Sequence, residues 1–377
     1  MATSFPAYVK PEILRWARES IGYSLSEAAS KIGVRVEKLK RAEQGEEFLT
    51  LRQAEKAAGV YDRPLAALFL PEPPTEEPQE AQYRRLPGAP EPPWPPQMQI
   101  LARRIRGRQD AAAELYEMLD EESPWVVARQ KLGSNRDGLA QTARELLGIS
   151  LDEQMGWRDP SGYRPMRHWI DAVESLGVLV MQDGTLPIEL ARGFASTDPT
   201  VPVMVINTQD DARARAFTVA HELGHLALEA AGEVVGRETE SWCNEFAASI
   251  LMPAEAFASV FAIAGGDALD RVDEVALAFG VTPMAATVTA RRRGLLSVAE
   301  TNAVIERIRA RGGGAATSGG NYYWTQLGRL GPSFVRLVFS ALDSQALTYP
   351  AAAGLLGVKV NHFDTLREYV QRRAELE

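Results

Sequence analysis

Along the first seventy residues, apolar and polar positions alternate with the period of short amphipathic helices. Ile13, Leu14 and Ala17 share one face of a helix expected over 11–20, which Pro11 opens. Ser24 with Glu27 three residues on has the spacing of a capping box, predicting a second helix through Ala28, Ala29 and Ile32 to a turn at Gly33. A third helix is expected over 35–44, stopped by Gly45, with two more over 51–58 and 64–70. Further on, the pattern predicts helices over 98–122, over 136–147 closed by Gly148, and over 164–176 ended by Gly177. Three short apolar runs, 178–181, 191–196 and 201–206, read as strands. Helical periodicity then returns at 217–229 and 238–253, in a pair over 272–280 and 283–293, and in a tail around 351–356 and 365–372.

Two stretches break this pattern. Residues 71–97 are rich in proline and glutamate and cannot build a core, so they are expected to be an extended, semi-rigid linker that Trp94 and Tyr83 dock locally or leave loose. Residues 312–320, GGGAATSGG, form a flexible break. The expected organisation is therefore a helical domain over 1–70, the linker, a second domain over 98–311, and a helical tail over 312–377. In fold class this is a multi-domain chain: an all-α bundle followed by an α+β domain with a small sheet.

Composition narrows the setting. A chain of 377 residues is long enough for two or three domains with substantial cores. A single cysteine excludes an intramolecular disulfide and fits a reducing compartment. No apolar run approaches the length of a membrane span, and the N-terminus lacks a signal-peptide pattern, so a cytoplasmic protein without membrane contact is expected. The net charge of −9 argues against a nucleic-acid binder working through its whole surface. Residues 1–70, however, carry eleven Lys and Arg against nine Asp and Glu, which permits a local DNA-binding module.

Chemistry concentrates in FTVAHELGHLALE, residues 217–229. His221 and His225 are four residues apart on one helical face, so both imidazoles can reach one zinc ion, and Glu222 between them can take a proton from water held there. Apolar Phe217, Val219, Leu223, Leu226 and Leu228 bury this helix, leaving its histidines in need of partners. The expected third ligand is Glu240, with Asn244 one turn on, hydrogen-bonding a ligating histidine. Glu238 and Glu245 are rival ligands, and Cys243 is a core residue or a fourth donor. His168 is expected at the surface or behind the ligands, and Tyr322 and Tyr323 either in the tail's core or approaching an oxyanion. Arg103, Arg104, Arg106 and Arg108 read as a solvated helix face, and Arg291, Arg292 and Arg293 as a cluster favoured by a helix C-terminus.

Together, FTVAHELGHL and the later ExxCNEFAASILMP resemble the ImmA/IrrE family of zinc metallopeptidases, with Val219, Cys243 and Ile250 as conservative departures from its pattern. The resemblance implies Zn2+ bound by His221, His225 and Glu240, with Glu222 as general base. It also implies an α+β, zincin-like domain centred on 164–260, closed by the helical pair within 270–295, in which a strand edge aligns the peptide. Residues 24–45, SLSEAASKIGVRVEKLKRAEQG, resemble the Xre/Cro-type helix-turn-helix, with Arg35, Lys38, Lys40 and Arg41 facing DNA, although Ser26 stands where that family often has glutamine. Arg15 and Arg18 match its basic first helix. The function so implied is a regulatory endopeptidase with a DNA-binding arm, cleaving a repressor or other regulatory partner, with homodimerisation left open. The alternative is a non-proteolytic regulator or toxin-neutralising antitoxin that uses the same fold for sensing or partner binding.

Overall fold

A computed structural model of the chain describes residues 5–75, 94–133, 138–232, 237–311 and 321–375. Among these, packing divides the chain into two compact units, one reaching as far as Gly107 and the other beginning at Arg108. Most of the expected linker, and the glycine-rich 312–320, lie outside the described residues.

The first unit is helical. It contains α1 (Pro11–Glu19), α2 (Leu25–Ile32), α3 (Val36–Glu43) and α4 (Leu51–Val60). The segment expected as a fifth α-helix is a single 3₁₀ stretch, Leu65–Phe69, because Pro64 precedes a run too short to extend. Ser24 and Glu27 form the capping box at α2, and Gly33 takes a left-handed φ of 78° to turn the chain into α3. The core is alanine-rich: Ala17, Ala28, Ala29, Ala54 and Ala57 are fully buried beside Ile13, Ile32 and Leu39, which lets the helices approach closely.

Arg18, one of the two basic residues noted in the first helix, is buried. Its Nε and Nη2 each donate to one oxygen of Glu43 at 2.8 Å, and its Nη1 donates to the Tyr23 carbonyl at 2.8 Å. Arg15 donates to the Glu43 backbone carbonyl. Arg103 and Arg104, on α5 (Pro96–Leu119), also hold the fold together: Arg103 donates to the carbonyls of Tyr61 and Asp62, and the exposed Arg104 donates from Nε and Nη2 to Asp62 Oδ1.

The second unit opens with the end of α5, followed by α6 (Pro124–Gly133), α7 (Leu139–Leu147), the short α8 (Leu151–Met155) and α9 (Tyr163–Ser175). Arg108 belongs here, donating to the Leu330 carbonyl and lying over the Phe334 ring. The sheet that follows is mixed and three-stranded, in the order β1 (Leu179–Asp183), β3 (Val203–Asn207), β2 (Gly193–Ser196). β1 runs parallel to β3 with Leu179 opposite Val203, and β2 runs antiparallel with Phe194 opposite Val205. β3 is buried throughout, as expected for a central strand reading as continuous apolar sequence.

Onto this sheet packs α10 (Ala212–Ala230), and α11 (Arg237–Leu251) packs against α10. Gly224 allows their close contact: a Cβ there would lie 3.1 Å from Phe246 and 3.3 Å from Cys243 Sγ. Then come α12 (Ala254–Ile263), α13 (Ala268–Phe279), α14 (Pro283–Arg292) and α15 (Val298–Arg311). The tail supplies α16 (Tyr322–Leu330), α17 (Pro332–Asp343), α18 (Tyr349–Leu356) and α19 (Phe363–Glu375), of which α16 and α17 pack against β1. Among the described residues no single helix is long and apolar enough to cross a membrane.

Glu174 anchors the tail. Its buried carboxylate accepts from the Ser333 N–H and hydroxyl, each at 3.0 Å, with Arg336 at 3.5 Å. Burial pushes this carboxyl up to about 7, against the pull of Arg373 and Arg336. A carboxyl raised on folding contributes stability that is complete below its ordinary value of 4.5 and is lost as pH rises through about 7. Thermal unfolding should therefore show falling stability across that window, and Glu174→Gln should flatten the slope.

Candidate metal centre and cleft

α10 is capped by Asp211, whose side chain accepts from the Arg213 N–H, and runs for nineteen residues with twelve of them buried. That burial forces the two histidines inward. His225 is fully buried, and His221 is half-buried, facing a cleft. Their Nε2 atoms lie 3.2 Å apart. Glu240 reaches over from α11, with Oε2 at 3.3 Å from His221 Nε2 and Oε1 at 3.3 Å from His225 Nε2. These are the three residues that the sequence pattern nominated, gathered into one group.

The spacing suits zinc. A tetrahedral ion with bonds of about 2.0–2.1 Å needs donors about 3.3–3.4 Å apart. Two imidazoles and one carboxylate favour zinc over calcium or magnesium, which prefer all-oxygen shells. Burial lowers the pKa of His225 to about 4, aided by His221, and burial also lowers that of His221 against the opposing pull of Glu240 and Asn244. Both rings are thus neutral near pH 7, the form that ligates metal. Metal-free protein titrated with zinc should bind one equivalent, and His225→Ala or Glu240→Ala should abolish tight uptake by elemental analysis.

Glu222 is 2% exposed, and its Oε2 has no hydrogen-bond partner among the described residues. Burial raises its pKa well above the ordinary range, and the nearby Glu240 charge adds to this. A buried carboxylate oxygen left without a donor is costly, and a bound cation or an incoming water is what such an atom is suited to meet. Asn244 hydrogen-bonds His221 and also donates to the Glu240 backbone carbonyl at 2.8 Å, tying ligand to ligand. Of the rivals, Glu245 is exposed and pairs with Arg292, while Cys243 is buried and its thiol pushed up by burial, which keeps it protonated.

His168 is neither exposed nor free: it is buried and stacked on Trp157 at 4.4 Å between ring centroids. Tyr322 is exposed, and the Tyr323 hydroxyl is engaged with His362 Nδ1 at 2.7 Å; neither lines the cleft. Arg291 and Arg292 do sit in the last turn of α14, yet Arg292 also lines the cleft, while Arg293 donates to the Met252 carbonyl and covers the Phe257 ring.

The cleft has a volume of about 620 Å³. Its floor is α10, one wall is the segment leading into β2, and the other is α14. Sequence reasoning missed the residue that holds the first wall. Asn207, buried at the end of β3, donates from its side-chain amide to the carbonyls of Leu186 and Ala191, at 3.0 and 2.9 Å. The only hint in the sequence was an amide closing an apolar strand. Gly193 brings β2 against α10: a Cβ there would stand 2.4 Å from Thr218 Cγ2 and 3.5 Å from Glu222 Oε1.

Comparison with curated proteins and with solved structures returned no match for the chain. Residues 173–291, which carry both histidines, Glu222, Glu240 and most of the cleft, match the family model Peptidase_M78, the IrrE N-terminal-like domain, whose peptidases are generally zinc-dependent.

Proposed function

We propose that the protein is a zinc-dependent endopeptidase that cuts a regulatory protein partner, a repressor or a toxin, and carries a DNA-binding arm. The observation that carries the catalytic part is Glu222: a buried, proton-attracting carboxylate, one oxygen of which has no hydrogen-bond partner among the described residues, beside three zinc-suited donors and next to an open cleft. A purely structural metal site has no use for such a group.

His221, His225 and Glu240 would hold the ion, which when bound supplies Lewis acidity toward a carbonyl and acidifies water. Glu222 takes the proton of the attacking water and returns it to the leaving amine. Asn244 keeps His221 and Glu240 aligned. Among the described residues β2 is an edge strand, paired only on its β3 side, and the residues leading into it line the cleft, so an extended substrate can add to the sheet by main-chain hydrogen bonds. The test is a comparison of newly formed protein N-termini in cells expressing wild type or Glu222→Gln. Fragments confined to wild type identify the substrate; identical profiles with purified, zinc-loaded protein equally inactive would sink the reading.

For the arm, Arg35, Lys40 and Arg41 are exposed on and before α3, and Lys38 is half-buried. Lys38 and Arg41 stand 3.6 Å from Glu47, and Arg41 the same distance from Glu46. Exposed pairs of this kind contribute little, so phosphates can replace the glutamates. Replacing Arg35 or Lys40 by alanine should weaken duplex binding and reduce its log–log salt slope by about one each.

A further inference from the structure

The two arginines of the cleft are not equivalent. Arg192, on the β2 side, is committed to Asp210, whose side chain is only 10% exposed. Arg292, on α14, faces Glu245 at 3.3 Å, and that partner is 61% exposed. Such a pair is weak and readily exchanged. Arg292 is therefore the cationic group that an incoming ligand can recruit.

Apart from Thr289, the rest of α14 is apolar where it meets the cleft. Met284, Val288 and Arg292 are spaced four apart and so form one stripe. Val288 is 43% exposed despite being apolar. Across the cleft stand Ile188 and Leu190, both half-buried, so an apolar side chain entering here is covered from two sides. Glu189 lies on that opposite wall, which leaves the α14 side as the place for a negative charge.

Resting on the endopeptidase reading above, we propose that the cleft selects an extended peptide in which an acidic side chain lies two positions from a bulky apolar one. Arg292 reads the acid, and Met284 and Val288 read the apolar group. The spacing follows from geometry. One helical turn from Val288 to Arg292 advances about 6 Å, and two residues of extended chain advance about 6.6 Å. Side chains two apart on a strand also point the same way, so both meet α14 together.

The experiment uses the full-length chain with one equivalent of zinc. Fluorescent nine-residue peptides carry leucine and, two positions away in either direction, Asp, Asn or Lys; a further set replaces leucine by serine. Binding is read by anisotropy on Glu222→Gln, and cleavage by mass spectrometry with wild type. The expected result is a preference for Asp over Asn of about fivefold, loss of binding without leucine, and tighter binding of the Asp peptide to Glu245→Gln, in which Arg292 is released. Arg292→Glu, a change at an exposed position, should reverse the preference toward Lys. Binding or cleavage indifferent to the charge, or a preference unchanged by Arg292→Glu, overturns the proposal and leaves the endopeptidase reading standing. Selective binding without any cleavage supports the recognition and sinks the endopeptidase reading. Neither binding nor cleavage overturns both.

Discussion

Replacing Glu222 by glutamine should slow peptide-bond cleavage by about 10²–10⁴-fold, the usual contribution of a positioned general base. Zinc content and the melting temperature should stay at wild-type levels. The side chain is the same size, and the position lost is a buried oxygen with no hydrogen-bond partner among the described residues, so no native contact is removed. Glutamine also carries no charge to desolvate, whereas the carboxyl is pushed well above its usual range by burial and by Glu240. The substitution thus separates chemistry from folding. His225→Ala would not, because it opens a void in a fully buried position and removes a ligand together. Steady-state kinetics on a cleaved peptide, with metal analysis of the same samples, checks the prediction. A variant that keeps its zinc and also keeps its rate would remove Glu222 from the mechanism.

Glu43→Ala should be the most damaging single change in the N-terminal unit, costing about 3–5 kcal/mol. The loss comes less from the attraction given up than from what remains behind. Arg18 would stay buried with its Nε aimed at empty space, held only by the Tyr23 carbonyl and, at 3.2 Å, by the exposed Glu19 carboxylate. The Tyr61 hydroxyl is fully buried nearby without a hydrogen-bond partner among the described residues, so it adds a second uncompensated group to the same region. For a unit of this size the first thermal transition should fall by more than about 10 °C. Replacing both members of the pair by apolar residues, Arg18→Met with Glu43→Leu, should recover most of the loss, because no charge is then left in the core. Calorimetry on the full chain distinguishes the outcomes; equal damage from single and double variants would show that packing, not charge, dominates.

The metal donors were legible because they obey a helical rule. His221 and His225 are one turn apart, and the glycine, alanine and leucine flanks around them say that the helix is inside. Glu240 and Asn244 obey the same rule on the next helix. The three strands were readable as apolar runs, to within two residues at each end. What stayed hidden depends on partners far away in sequence. α6 escaped notice because Val126 and Val127 blur the stripe made by Trp125, Ala128 and Leu132. Arg18, Arg103 and Arg104 look like solvent-facing cations until the acceptors that hold them, Glu43 and the Tyr61–Asp62 turn, are brought close by folding. The tail helices α16 and α17 owe their burial to β1, which lies well over a hundred residues earlier.

Asn207 bears on how this scaffold can change. By gripping the loop at Leu186 and Ala191, it fastens both ends of the four residues between them to the sheet without touching their side chains. Those four residues therefore behave as a replaceable cassette: new sequences can be exchanged there, and the reach and charge of one cleft wall altered, without disturbing the helix that carries the metal donors. Diversity among relatives of this chain should accumulate in that cassette, while the amide that clasps it stays fixed.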